Sequence, residues 1–165
     1  MRDVNVTENH AIRTLELLSD FYAKLLMGGR PSPHHVKQVH PDNWSAAAKA
    51  AFNANPNQKP RDYLRVEHGT PRRGFARKVL ELYATGNLTE ATMDDLTRRY
   101  WKLAVITVEE DARLAKIARS TVYETPDARW SDAGILFDPS VSLISNRDTT
   151  QMGVLDSQVR WPEKR

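Results

Sequence analysis

The chain has 165 residues, enough for one domain or one domain with a tail, and 40% of them are apolar, enough to build a core. It carries 24 Lys and Arg against 21 Asp and Glu, a formal charge of +3 and a sequence pI of about 9.3, a mild basic bias that suits an anionic partner. The lack of cysteine excludes a disulfide framework and Cys-ligated zinc, and no apolar run reaches the length of a membrane span. Acids at Asp3, Glu8 and Glu16 argue against a signal peptide, so a reducing cytoplasm is the expected home.

Ile12, Leu15, Leu18, Phe21, Tyr22 and Leu25 recur at helical spacing, between a capping Thr7 and a Gly28-Gly29 stop, which predicts an amphipathic helix. Ser32-Pro33 resembles another helix start, cut short by Pro41. Asn43 is the expected cap of an Ala-rich helix ending near Phe52. Residues 53–60 hold two prolines and form a polar connector between a helical N-terminal arm, residues 1–55, and a core over 61–144. Leu64, Val66 and His68 alternate with Tyr63, Arg65 and Glu67, the pattern of a half-buried strand. Thr70-Pro71 reads as a cap and first turn. Phe75, Val79, Leu82 and Tyr83 then form an inner helix face, and Gly86 ends it. Thr89 caps the next helix, with Met93, Leu96 and Tyr100 inward. Residues 103–108 are a continuous apolar run, expected as a buried strand. Thr107 and Glu110 fit a capping box opening a helix that carries Leu114 and Ile117. A short helix from Pro126, ended by Gly134, and paired strands at 135–137 and 141–144 complete the core. Residues 145–165 read as a polar, loosely held tail. The expected fold is a small, helix-rich α+β domain with a short few-stranded sheet and an N-terminal helical arm.

Residues 63–73 carry the densest chemistry. Neighbours in a strand point to opposite faces, so Glu67 and His68 serve one site only at a bend, which Gly69 allows. There His68 is a candidate general base and Glu67 a ligand to a divalent metal; the plainer reading is a strand-end histidine bonded to a backbone carbonyl. Arg72 and Arg73 open the following helix, where positive charge opposes the dipole at about 0.3–1 kcal/mol each. An anion held by the free amides there relieves that cost, and Arg65, Arg77 and Lys78 widen the patch. The alternative is a solvated face with Glu67 or Glu81 as partners. Glu109, Glu110 and Asp111 suit the start of a helix, and the sharper reading has Asp111 or Glu109 completing a metal site with Glu67. His34, His35 and His40 lack the i, i+4 spacing of a zinc helix and are expected on the surface. Arg98, Arg99 and Lys102 flank Tyr100 and Trp101. That mixture can stack single strands, although helical spacing favours the rings entering the core. Arg129-Trp130 is expected as a structural anchor.

Val66-Glu67-His68 with Pro71 after it, and the strand–helix half over 104–114, together resemble a divergent His-Asn-His nuclease core. About one third of the chain is covered. The resemblance implies His68 as general base, Glu67 as ligand to Mg²⁺ or another divalent metal, and Asp111 as a candidate last ligand. This chain departs from the pattern in having no clear middle asparagine, no histidine on the later helix, and two helices between the strands. The resulting expectation is binding of DNA or RNA, with metal-dependent phosphodiester cleavage at His68 and Glu67. The alternative is a non-catalytic protein-interaction module, such as a small inhibitor or adaptor of a nucleic-acid enzyme. No membrane partner is expected.

Overall fold

A computed structural model describes residues 7–26, 36, 39–138 and 140. Two short strands organise it: β1 (Leu64–His68) pairs antiparallel with β2 (Leu103–Thr107), with Leu64 opposite Thr107 and His68 opposite Leu103. Around them lie α1 (Glu8–Leu26), α2 (Ala46–Ala54), α3 (Arg72–Ala84), α4 (Glu90–Tyr100), α5 (Val108–Ala118) and α6 (Pro126–Asp132), with 3₁₀ turns at Pro41–Asn43 and Pro60–Asp62. The protein is thus a helix-rich α+β domain.

Alternation along the strands sorts the core. On one sheet face Leu64, Leu103 and Val105 pack with Trp44, Ala48 and Val39 beneath α2. On the other, Ala104 and Ile106 pack with Leu114 and Ala118 of α5 and with Trp130 and Ala133 of α6. Because both faces are covered, every β2 residue is buried, which explains its unbroken apolar run. A third cluster lies beyond the sheet, where Ala23 of α1 meets Phe75 and Val79 of α3 and Tyr100 and Trp101 at the end of α4. The N-terminal helices are therefore part of the core: α1 lies on α3 and α2 on β2.

Several local expectations change. The cap of α2 is Ser45, whose hydroxyl accepts the Ala48 N–H at 3.0 Å; Asn43 sits in the preceding 3₁₀ turn. The backbone decides this, because the Ser45 N–H is donated to the Val105 carbonyl of β2 and holds that residue extended. Before α3 the capping position belongs to Pro71, with no side-chain bond, and Thr70 is buried. Leu18 and Phe21 share α1's apolar run, yet they are 54% and 56% exposed, because α1 turns Ile12, Ser19 and Ala23 inward. Tyr83 and Ile117 are likewise exposed. Residues 135–137 form no strand; the Leu136 carbonyl accepts the Ala46 N–H at 2.8 Å and so closes the start of α2. The expected strand at 141–144, the Gly28-Gly29 stop, the Ser32-Pro33 start and the tail at 145–165 fall outside the described residues. Among the described residues no helix is long and apolar enough to cross a membrane.

Candidate functional site

Glu67 and His68 occupy the end of β1, and the pleat sends them to opposite faces. Gly69 lies in a bend, as the sequence allows, yet Glu67 and His68 before it remain on opposite faces of the strand. The Gly69 backbone has no positive φ, and its N–H continues the ladder by donating to the Lys102 carbonyl at 2.7 Å. Space is what requires glycine here: a Cβ on Gly69 would stand 2.3 Å from the Pro126 Cβ. Gly74, one turn into α3, faces the same segment, with a Cβ falling 2.3 Å from Val122 Cγ2. Residues 122–130 are therefore strapped directly over the junction between β1 and α3.

The strap delivers Arg129. Its guanidinium, 3% exposed, donates from one nitrogen to Glu67 Oε1 at 2.9 Å and to the His68 carbonyl at 2.7 Å. Its Nε donates to the Ala118 carbonyl at the end of α5, at 3.1 Å. One side chain thus ties β1, α5 and α6 together, the anchoring role expected of Arg129. Burial holds the Glu67 carboxyl above its ordinary value, against the pull of Arg129, and the nearby Asp111 carboxylate adds to the rise. His68 instead sets its ring edge-on to Trp101 at 5.2 Å, and Trp101 meets Phe75 in the same way. The histidine faces the aromatic cluster and the acid faces α5 and α6.

Asp111 lies in the first turn of α5, where the capping box forms as expected. The Thr107 hydroxyl accepts the Glu110 N–H at 3.2 Å, and Glu110 Oε2 accepts the Thr107 N–H at 2.9 Å. Glu110 is 3% exposed and also accepts the Ser45 hydroxyl at 2.6 Å, so the starts of α2 and α5 share one buried polar link. Glu109 is exposed, and bonds from backbone and Thr107 hold its carboxyl below the ordinary value. A divalent ion at Glu67 would share that carboxylate with Arg129, which holds its Oε1. Among the described residues no group of three or more acids and histidines is placed to hold a metal. The carboxylates brought near this point are those of Glu67, engaged by Arg129, and Asp111.

The basic residues divide. Arg72, Arg73 and Arg77 are exposed on α3, and Arg73 donates to Asn9 Oδ1 at the start of α1 at 2.7 Å. Arg65 folds back onto the Arg61 and Leu64 carbonyls and is not drawn toward α3. Lys78 is half-buried, its Nζ 4.5 Å from the centre of the Tyr100 ring. Arg98 and Arg99 are exposed on α4, while Lys102 pairs with Asp127 at 2.7 Å. Tyr100 and Trp101 are both 8% exposed, so they are core residues. His40 is exposed beside Asp42, as expected; His34 and His35 are outside the described residues. Sequence reasoning missed the grip of Arg129 on Glu67, which joins positions 62 residues apart, and the buried Ser45–Glu110 link. The only signal for the first was a lone arginine beside a tryptophan.

No protein family, curated protein or solved structure matches this chain.

Proposed function

We propose that the chain binds nucleic acid along its phosphate backbone, using the exposed cations at the start of α3. The observation that carries this reading is Arg72 and Arg73 at the head of a helix whose first turn holds no acid and whose cap supplies no side-chain bond, with Arg77 one turn on. Two guanidiniums added to the positive helix end are unfavourable in isolation, and a phosphate relieves them. The His-Asn-His resemblance supports the same reading: a strand ending in acid and histidine pairs with a second strand that leads into the helix bearing Asp111. Binding without cutting is favoured over cleavage, because Arg129 engages Glu67 and the sheet separates Glu67 from His68. A protein partner is the second reading, favoured by the exposed Leu17, Leu18 and Phe21 on α1.

The test is fluorescence anisotropy of labelled single- and double-stranded DNA and RNA across a salt series. The wild type should bind with an affinity that falls steeply with salt, and Arg72→Gln with Arg73→Gln should flatten the slope by about 2. No binding at low salt would sink the reading. Parallel incubation with Mg²⁺, Mn²⁺ or EDTA should leave the nucleic acid intact; cleavage lost in His68→Ala would replace binding with catalysis as the function.

A further inference from the structure

The cations of α3 and α4 converge away from the start of α3, at a place the reading above does not use. Lys78 Nζ lies 4.5 Å and Arg99 Cζ 5.3 Å from the centre of the same Tyr100 ring. The two charges can therefore be no further apart than the sum of those distances. Each has an acid at the spacing helices use for ion pairs: Asp95 lies four residues before Arg99, and Glu81 three after Lys78. Neither pair forms, and among the described residues neither cation has a carboxylate partner. A ring face attracts each cation by about 0.5–1 kcal/mol at an exposed site. That attraction holds each cation at the ring but neutralises neither charge. An anion shared by both does. Tyr100 itself is 8% exposed and fixed by the aromatic cluster, so both cations gather at one rigid ring.

We infer that Lys78 and Arg99, both held at Tyr100, form a clamp for one phosphate of a nucleic-acid backbone. This extends the interface from α3 onto α4 and rests on the nucleic-acid reading above. The arginine offers a planar fork and the lysine a point charge, a pairing suited to a tetrahedral oxyanion. The arrangement reads no base, so it predicts tolerance of sequence.

The experiment uses the full chain and a labelled oligonucleotide of the type it binds most tightly, titrated across salt. Lys78→Gln with Arg99→Gln should lower the slope of log affinity against log salt by about 2, with weaker binding at low salt. The charge-keeping variants Lys78→Arg and Arg99→Lys should retain the wild-type slope, which separates loss of charge from loss of packing on Tyr100. If the double glutamine variant keeps the wild-type slope while Arg72→Gln with Arg73→Gln lowers it, the clamp is wrong and the nucleic-acid reading stands. If the wild type binds no oligonucleotide, both fall; binding of inorganic pyrophosphate alone would overturn the backbone assignment.

Discussion

Arg129 shows how much a single residue can be asked to hold. It is buried, and it satisfies a carboxylate on β1 and carbonyls at the ends of β1 and α5. Removing one member of a buried ion pair leaves the other charge desolvated and alone, which costs about 3–5 kcal/mol. Arg129→Ala should therefore lower stability by about that much in urea denaturation, and Arg129→Lys should recover only part, since an ammonium lacks the fork that reaches all three acceptors. A loss below about 1 kcal/mol would mean that water replaces the guanidinium. The same pair gives a pH signature. Burial raises the folded carboxyl of Glu67 above the ordinary 4.5. Its contribution is then fully present below that value and lost as pH rises through the folded one. The stability advantage of wild type over Glu67→Gln should be largest in acid and decline toward neutral pH. An advantage that grows with pH would show that attraction to Arg129 outweighs burial.

At the scale of elements, local chemistry was legible where the deciding contacts were local. The Thr107–Glu110 box follows from four consecutive residues, and α5 starts where that pattern puts it. Thr107→Ala should cost about 0.5–2 kcal/mol. The loss should sit near the top of that range, because Glu110 is buried and loses one of its bonded neighbours. The strands, too, were legible from alternation and from the apolar run of β2. What the sequence could not show was contact between distant segments. Ser45 displaces Asn43 as a cap because β2 takes its N–H. Gly69 reads in sequence as a residue that allows a bend, and the chain bends there, but its lack of a side chain also serves the close approach of Pro126, which sequence does not show. Half of the candidate site was legible in the same way. The placing of Glu67 at the end of β1 and of Asp111 in the first turn of α5 follows from the strand and capping signals, whereas the arginine that engages Glu67 arrives from α6. Gly69→Ala and Gly74→Ala test this directly. Gly69→Ala should destabilise by about 1–3 kcal/mol by overpacking against the buried Pro126, and Gly74→Ala by less, because Val122 is exposed and can give way. Gly86, at φ +70° with no atom near, should respond through backbone strain alone.

For the whole molecule, the three clusters differ in how they join the sheet. Two of them share β2 directly, while α1, α3 and α4 meet beside it. Across that third cluster Tyr22 of α1 donates its hydroxyl to the Asp94 carboxylate of α4. Burial, together with that acceptor, pushes the phenol up to about 12 from 10.0. For a raised acid the contribution to stability is in full below the ordinary value and fades as pH climbs toward the folded one. The loss should therefore appear between about pH 10 and pH 12, as the ionised phenol and Asp94 repel each other. Its first effect should be on α1 rather than on the sheet, because the bond joins only α1 and α4. Hydrogen exchange above pH 10 is too fast to read this. Tryptophan emission can follow it, since Trp101 lies in the affected cluster and Trp44 and Trp130 do not. Variants keeping Trp101 alone should lose their folded emission at lower alkaline pH than variants keeping Trp44 alone. Tyr22→Phe should abolish that difference. Coincident transitions in the two probes, with Tyr22 present, would show that the clusters unfold as one unit and that α1 is held by packing rather than by this bond.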